Sequence, residues 1–206
     1  MDKLFECAKA FEGLLNVEYH MLIGRKGKAV ELRVKFEKVE FHHLIGLHKL
    51  KDLRLARGNR EKIFGEILSG KITLSDIEKS KYYDKIKNRI EPFARIETIF
   101  DQNNLIFRYN ERKQTFSMIE AEYLLSTPCC STDVYIFLDK KSITGDFFCR
   151  SFFPKEEKDY TEGQAVYTLL RKEKTDIKSG MRQLQYDRLS EKNGNEGGPH
   201  ELHIRE

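Results

Sequence analysis

Cysteine is scarce in this chain, with four in 206 residues (Cys7, Cys129, Cys130 and Cys149). They form no disulfide framework, and the adjacent pair Cys129–Cys130 lacks the spaced partners that tetrahedral zinc needs. We expect that pair to be two small buried residues. No apolar run approaches the roughly 18–20 residues of a membrane helix. The N-terminal stretch MDKLFECAKAFEGLL has acids inside its apolar pattern and no small-residue cleavage site, so it reads as a first helix and not as a secretory signal. A phosphate-cradling glycine loop is missing, since Gly24 and Gly27 fit a hairpin turn. Charge of one sign is also lacking: 37 basic against 33 acidic side chains leave a net +4. So small an excess does not by itself point to nucleic acid; local clustering has to make that case. Together these absences predict a cytoplasmic chain without cofactor, structural metal or membrane partner.

What is present is enough to build a core. Hydrophobic residues make up 39% of the chain, with 14 Phe and 9 Tyr, which argues against disorder. Leu4, Phe5, Ala8, Phe11, Leu14 and Leu15 recur at helical spacing. Tyr19–Ile23 reads as a strand, and Val30, Leu32, Val34 and Phe36 alternate with Glu31, Arg33 and Lys35, the period of a half-buried strand. A helical pattern runs over Glu40–Leu53 and another over Asn59–Leu68. Thr73 to Asp76 offers capping oxygens for a helix over Ile77–Tyr83. Pro92 suits the first turn of a helix containing Phe93, Ile96, Ile99 and Phe100. After Asn104 the segments Leu105–Tyr109, Phe116–Leu125, Val134–Leu138, Phe147–Phe153 and Ala165–Arg171 are short, aromatic and β-branched. The predicted fold is α+β: an N-terminal hairpin and helical block, then a curved, mostly antiparallel sheet. We expect residues 1–188 to form one domain and the polar Leu189–Glu206 to be a flexible tail, His200 and His203 included.

Three of the six histidines fall within Phe41-His42-His43-Leu44-Ile45-Gly46-Leu47-His48-Lys49-Leu50. At roughly 100° per residue, a continuous helix would put His42 and Lys49 about 20° apart on one face. His48 would fall among Phe41, Leu44 and Ile45, and His43 near Leu47 and Leu50. Three histidines spread around a helix cannot converge on one metal ion. His42 with Lys49 pairs a proton-transfer group with a fixed cation; hydrogen-bonded core histidines are the other reading. A basic run follows, with Lys49, Lys51, Arg54, Arg57, Arg60 and Lys62, suited either to phosphate or to a solvated helix face. Tyr82, Tyr83, Lys85, Lys87 and Arg89 interleave rings and cations, the pairing that holds bases and phosphates. Asp159 to Gln164 reads as a polar turn; if it flanks a site, Tyr160, Thr161 and Gln164 contribute.

The histidine segment, the Phe5-Glu6-Cys7-Ala8 start and the late Asp159-Tyr160-Thr161 together resemble the fourth type of the phage Barnase–EndoU–colicin–RelE-like nuclease families, over about residues 3–175. The resemblance implies a metal-independent RNA-cleaving domain with N-terminal helices and an antiparallel sheet. Its chemistry would be transesterification: a base takes the 2′-hydroxyl proton, the oxygen attacks phosphorus, and an acid protonates the departing 5′-oxygen. His42 and His43 are then the acid/base candidates, in an order the sequence leaves open, with Lys49 as the phosphate-side cation. Arg54, Arg57, Arg60, Tyr83, Arg89, Tyr160 and Thr161 are candidate RNA contacts. RNA is the expected partner, and an immunity or antitoxin-like protein a further one. A non-catalytic binding module on the same basic surface is the alternative.

Overall fold

In the computed structural model, which describes residues 1–114 and 117–193, local capping sets the helical block. Asp2 accepts from the Phe5 backbone N–H (3.0 Å) to start α1 (Lys3–Leu14), and its second oxygen accepts from the Leu74 N–H (2.8 Å). One carboxylate therefore ties two helix starts together. The α1 stripe Leu4, Cys7, Ala8, Phe11 and Leu14 is fully buried. Phe11 sits at its centre, 5.7–6.2 Å from the rings of Phe36, Phe41, Phe64 and Phe93. The hairpin β1 (Val17–Arg25) and β2 (Lys28–Val34) follows, as its alternation predicts, turning through Lys26 and Gly27 at positive φ.

The expected helix over Glu40–Leu53 does not form as one piece. It stops as α2 (Lys38–Leu44). Gly46 adopts φ 94°, the left-handed region that ends helices, and its N–H bonds the His43 carbonyl (3.1 Å). Two single 3₁₀ turns, Leu47–Lys49 and Arg54–Arg57, carry the chain on. The break lets Phe41, Leu44, Ile45, Leu47 and Leu50 all reach 0% exposure, which no single face of a straight helix allows.

Asn59 caps α3 (Arg60–Leu68) by accepting from Lys62 N–H at 2.9 Å. The Asp76 carboxylate accepts from the Thr73 N–H (3.0 Å) and hydroxyl (2.8 Å) at the start of α4 (Leu74–Glu78), so that helix begins earlier and ends sooner than Ile77–Tyr83. Pro92 does not open a helix. It lies near the end of α5 (Lys87–Phe93), and a separate α6 (Ile96–Asp101) carries Ile96, Ile99 and Phe100.

The strands β3 (Leu105–Arg108), β4 (Tyr123–Cys129), β5 (Thr132–Lys140), β6 (Phe147–Pro154), β7 (Ala165–Asp176) and β8 (Arg182–Asp187) build the sheet with the N-terminal hairpin. Its order is β1-β2-β6-β5-β4-β3-β7-β8, and β7 also pairs with β1, so seven strands close on themselves. All pairings are antiparallel except the β2–β6 contact at Val34 and Phe147. The expected strand over Phe116–Leu125 starts only at Tyr123; the chain before it loops, with Met118 96% exposed. β5 is buried on both faces. Val134, Ile136 and Leu138 join the main core under the helices, while Tyr135 and Phe137 join a second cluster with Phe107, Tyr109 and Leu124.

β7 runs on past Arg171, and its Lys172, fully buried, donates to the carbonyls of Phe100 (2.9 Å), Asp101 (2.9 Å) and Gln102 at the end of α6. The polarity of β8 hid it in the sequence. Cys129 and Cys130 are half-buried at the β4–β5 turn, not buried as expected, because Cys130 and Ser131 take positive φ at a hairpin tip. Of the expected tail, Leu189–Asn193 continues α7 (Arg188–Asn193), started by Asp187 accepting from the Leu189 N–H at 2.9 Å. Residues 194–206, with His200 and His203, lie outside the described residues. Among the described residues no helix is long and apolar enough to cross a membrane.

Candidate nuclease cleft

The turn at Gly46 creates the site. It folds Leu47–Lys49 back over the end of α2, so the His48 ring stacks on His43 with centroids 4.2 Å apart and planes 10° from parallel. Both rings line a cleft of about 840 Å³ together with Glu40, Lys49, Arg60, Lys85, Arg89, Lys141, Arg150, Ser151, Phe153, Glu156 and Tyr160. α2, α5 and β6 meet there. Six cations face it against the three carboxylates of Glu37, Glu40 and Glu156.

Arg89 is the anchored cation. Its Nη1 donates to the carbonyls of Leu44 (3.1 Å) and Phe152 (2.9 Å), and its guanidinium lies over the Phe153 ring at 5.4 Å. Gly46 leaves the space this needs: a Cβ there would stand 2.6 Å from Ile86 Cγ2 and 3.5 Å from Arg89 Cδ. Lys141 is held by Glu37 (2.5 Å), and Arg150 lies 3.6 Å from Glu120 and 3.9 Å from Asp139. Among the described residues, Lys49, Arg60, Lys85 and Arg89 have no carboxylate within 4.0 Å and stay free for an anion.

Burial and these cations set the proton affinities. Burial first, then Arg89, Arg60 and Arg150, pull His43 down to about 4. Burial, then His43, Lys49 and Arg89, bring His48 to about 3. Both imidazoles are therefore neutral at pH 7, able to accept a proton. Burial and Arg89 lower Lys49 to about 8. Burial raises Glu40 to about 7 despite nearby Lys141.

The expected site residues separate into two groups. His43, Lys49, Arg60, Arg89 and Tyr160 line the cleft. His42 does not. It is 2% exposed, and its Nε2–H donates to the Leu55 carbonyl at 2.8 Å. The shared face of His42 and Lys49 required a continuous helix, and the break at Gly46 removes it. Arg54 borders a smaller groove of about 440 Å³ beside α3. Arg57 is exposed outside the cleft, and Tyr83 packs against the main core. Thr161 is used locally, donating its N–H (2.8 Å) and hydroxyl (2.6 Å) to Asp159, which also accepts from Tyr135 (3.0 Å) and Lys155 (2.6 Å). Gln164 exchanges hydrogen bonds with the Asn110 backbone (2.9 and 3.1 Å). This polar turn holds Tyr160 at the cleft edge.

Sequence reasoning missed Glu40, Lys141 and Glu156, and it placed His48 on the apolar side. Arg150 and Ser151 stood together in the sequence, but nothing there said that β6 would bring them to His43. Among the described residues no three His, Cys, Asp or Glu side chains are grouped to hold a metal ion.

Residues 3–189 match the family described as phage-Barnase-EndoU-ColicinE5/D-RelE like nuclease 4. The chain belongs to this family. The family is one of nucleases, and the match spans every element from α1 to β8, so the whole cleft lies inside it. No curated protein and no solved structure matches the chain.

Proposed function

We propose that the cleft cleaves RNA by 2′-hydroxyl transesterification without a metal cofactor. The observation that carries this reading is the stacked, neutral His43–His48 pair among four cations that have no carboxylate within 4.0 Å among the described residues. His43 takes the 2′ proton, and His48, stacked on it, fixes the plane of its ring. Lys49 and Arg89 stabilise the charge that grows on the phosphoryl oxygens. Arg60 and Lys85 hold flanking phosphates, and Tyr160 at the cleft edge offers its ring to a base. His42 supports the turn beneath from outside the cleft.

RNA in the cytoplasm is the substrate in this reading. An acidic immunity or antitoxin-like protein that covers the basic mouth would silence it. The test is incubation of the purified chain with transfer RNA, single-stranded RNA and DNA, with and without EDTA. The expected products end in a 2′,3′-cyclic phosphate, EDTA changes nothing, and DNA resists for want of the 2′-hydroxyl. Cleavage of DNA at a comparable rate, or loss of activity in EDTA, contradicts the mechanism. Tight RNA binding without cleavage would make the cleft a binding module.

A further inference from the structure

We infer that Glu40 is the proton donor to the leaving 5′-oxygen in this cleft, an assignment that rests on the ribonucleolytic reading above. Glu40 lies one helical turn before His43 on α2, so both side chains rise from one face, and both line the cleft. Its side chain is 9% exposed. Oε2 is buried without a hydrogen-bond partner, and Oε1 is 3.8 Å from Lys141 Nζ, beyond hydrogen-bond reach. Lys141 is instead committed to Glu37. A buried carboxylate oxygen with no donor is costly as an anion. A proton on that oxygen relieves the cost, and an oxygen of the substrate in the cleft then gives the proton a partner.

The histidines leave this role open. Imidazoles that hold a proton only near pH 3–4 are acceptors at neutral pH, so transesterification there needs a different donor. In the forward step the 2′-hydroxyl proton passes to His43 while the O2′–P bond forms and the P–O5′ bond breaks. The Glu40 proton goes to O5′, leaving a carboxylate and an imidazolium. Hydrolysis of the cyclic phosphate runs the reverse path: Glu40 takes a proton from water as its oxygen attacks phosphorus, and His43 returns its proton to O2′. The groups facing Glu40 are Glu37 from its own element, Lys141 just after β5, and the Cys149 thiol of β6. Burial opposes ionisation of Glu40; the Glu37 backbone N–H and Lys141 favour it, and the Glu37 carboxylate adds a smaller opposition.

The test is a leaving-group experiment. Cleavage of an oligoribonucleotide is compared with cleavage of the same oligomer carrying sulfur in place of the scissile 5′-oxygen, since a thiolate departs without being protonated. Glu40→Gln is expected to slow the oxygen substrate by about 10²–10⁴ and to leave the sulfur substrate near the wild-type rate. That preserved rate also shows that the variant is folded. His43→Ala should slow both. Equal slowing of both substrates by Glu40→Gln, or no slowing of either, overturns the assignment. Rescue by sulfur in Lys49→Met instead makes Lys49 the donor and overturns it too. Should Glu40→Gln not fold, the wild type decides: its rate on oxygen should fall above about pH 7 while its rate on sulfur does not, and parallel profiles overturn the assignment. A wild type that cleaves neither substrate removes the ribonuclease reading itself, and the donor with it.

Discussion

His42 and His43 are neighbours in the chain with opposite duties, and substitution should tell them apart. His43→Ala removes the proton acceptor in the cleft and should lower cleavage by about 10²–10⁴ with little change in stability. His42→Ala removes the partner of the half-buried Leu55 carbonyl and should cost about 1–3 kcal/mol of stability. Turnover per folded molecule should stay close to wild type. A urea titration beside a cleavage assay on both variants checks this, and the opposite pattern would return His42 to the chemistry. Acid should weaken the fold through the same ring pair. His43 and His48 are depressed to about 4 and 3, so between pH 6.5 and those values the unfolded chain binds protons that the folded chain refuses. Stability is then full above pH 6.5 and falls as pH drops. Glu40, raised to about 7, works with the opposite sign between about 7 and 4.5. Glu40→Gln should therefore steepen the acid loss of the urea midpoint, and a flatter profile in that variant would contradict the sign.

At the scale of elements, the site depends on where α2 stops. Gly46→Ala must place a Cβ 2.6 Å from Ile86 and hold alanine at φ 94°. The left-handed conformation alone costs about 1–2 kcal/mol, and the clash adds to it. The variant should lose at least that much by chemical denaturation. It should also lose cleavage, because the shift moves the turn that sets His48 over His43 and crowds Arg89. Unchanged activity in Gly46→Ala would show that the histidine stack is not needed. The same turn explains why a helical reading of Glu40–Leu53 fails: its periodicity is real on both sides of a glycine that reverses the chain between them.

At the scale of the molecule, the closed sheet and the helical block bring cations from three parts of the chain to one mouth. With Lys49 and Arg89 on the scissile phosphate and Arg60 and Lys85 on flanking ones, binding of single-stranded RNA should weaken with salt at a log–log slope of about −2. Lys85→Ala should make that slope shallower by about 0.7, as read by fluorescence anisotropy on a 2′-O-methyl oligomer that cannot be cleaved. A slope near zero would mean that the cleft does not engage the backbone.

Local patterning carried the α+β order, the β1–β2 hairpin, the helical spacing of α1 and α3, and most of the strands. Each follows from local rules: alternation of period two and apolar spacing read within about ten residues. It also singled out the histidine segment, because three imidazoles among buried aliphatics stand out in composition alone. Which histidines share a site depends on long-range packing. The His43–His48 stack depends on a backbone angle at Gly46 that is stable because Ile86 and Arg89 fill the space beside it. The proton affinity of Glu40 is raised by burial, against the pull of the Glu37 backbone N–H and of Lys141, which reaches it from just after β5. The polarity of β8 and the buried Lys172 hid the edge of the sheet, since a strand paired to β7 needs no apolar face of its own. Long-range packing chooses among the faces that local patterning leaves open, and here that choice fixes the chemistry.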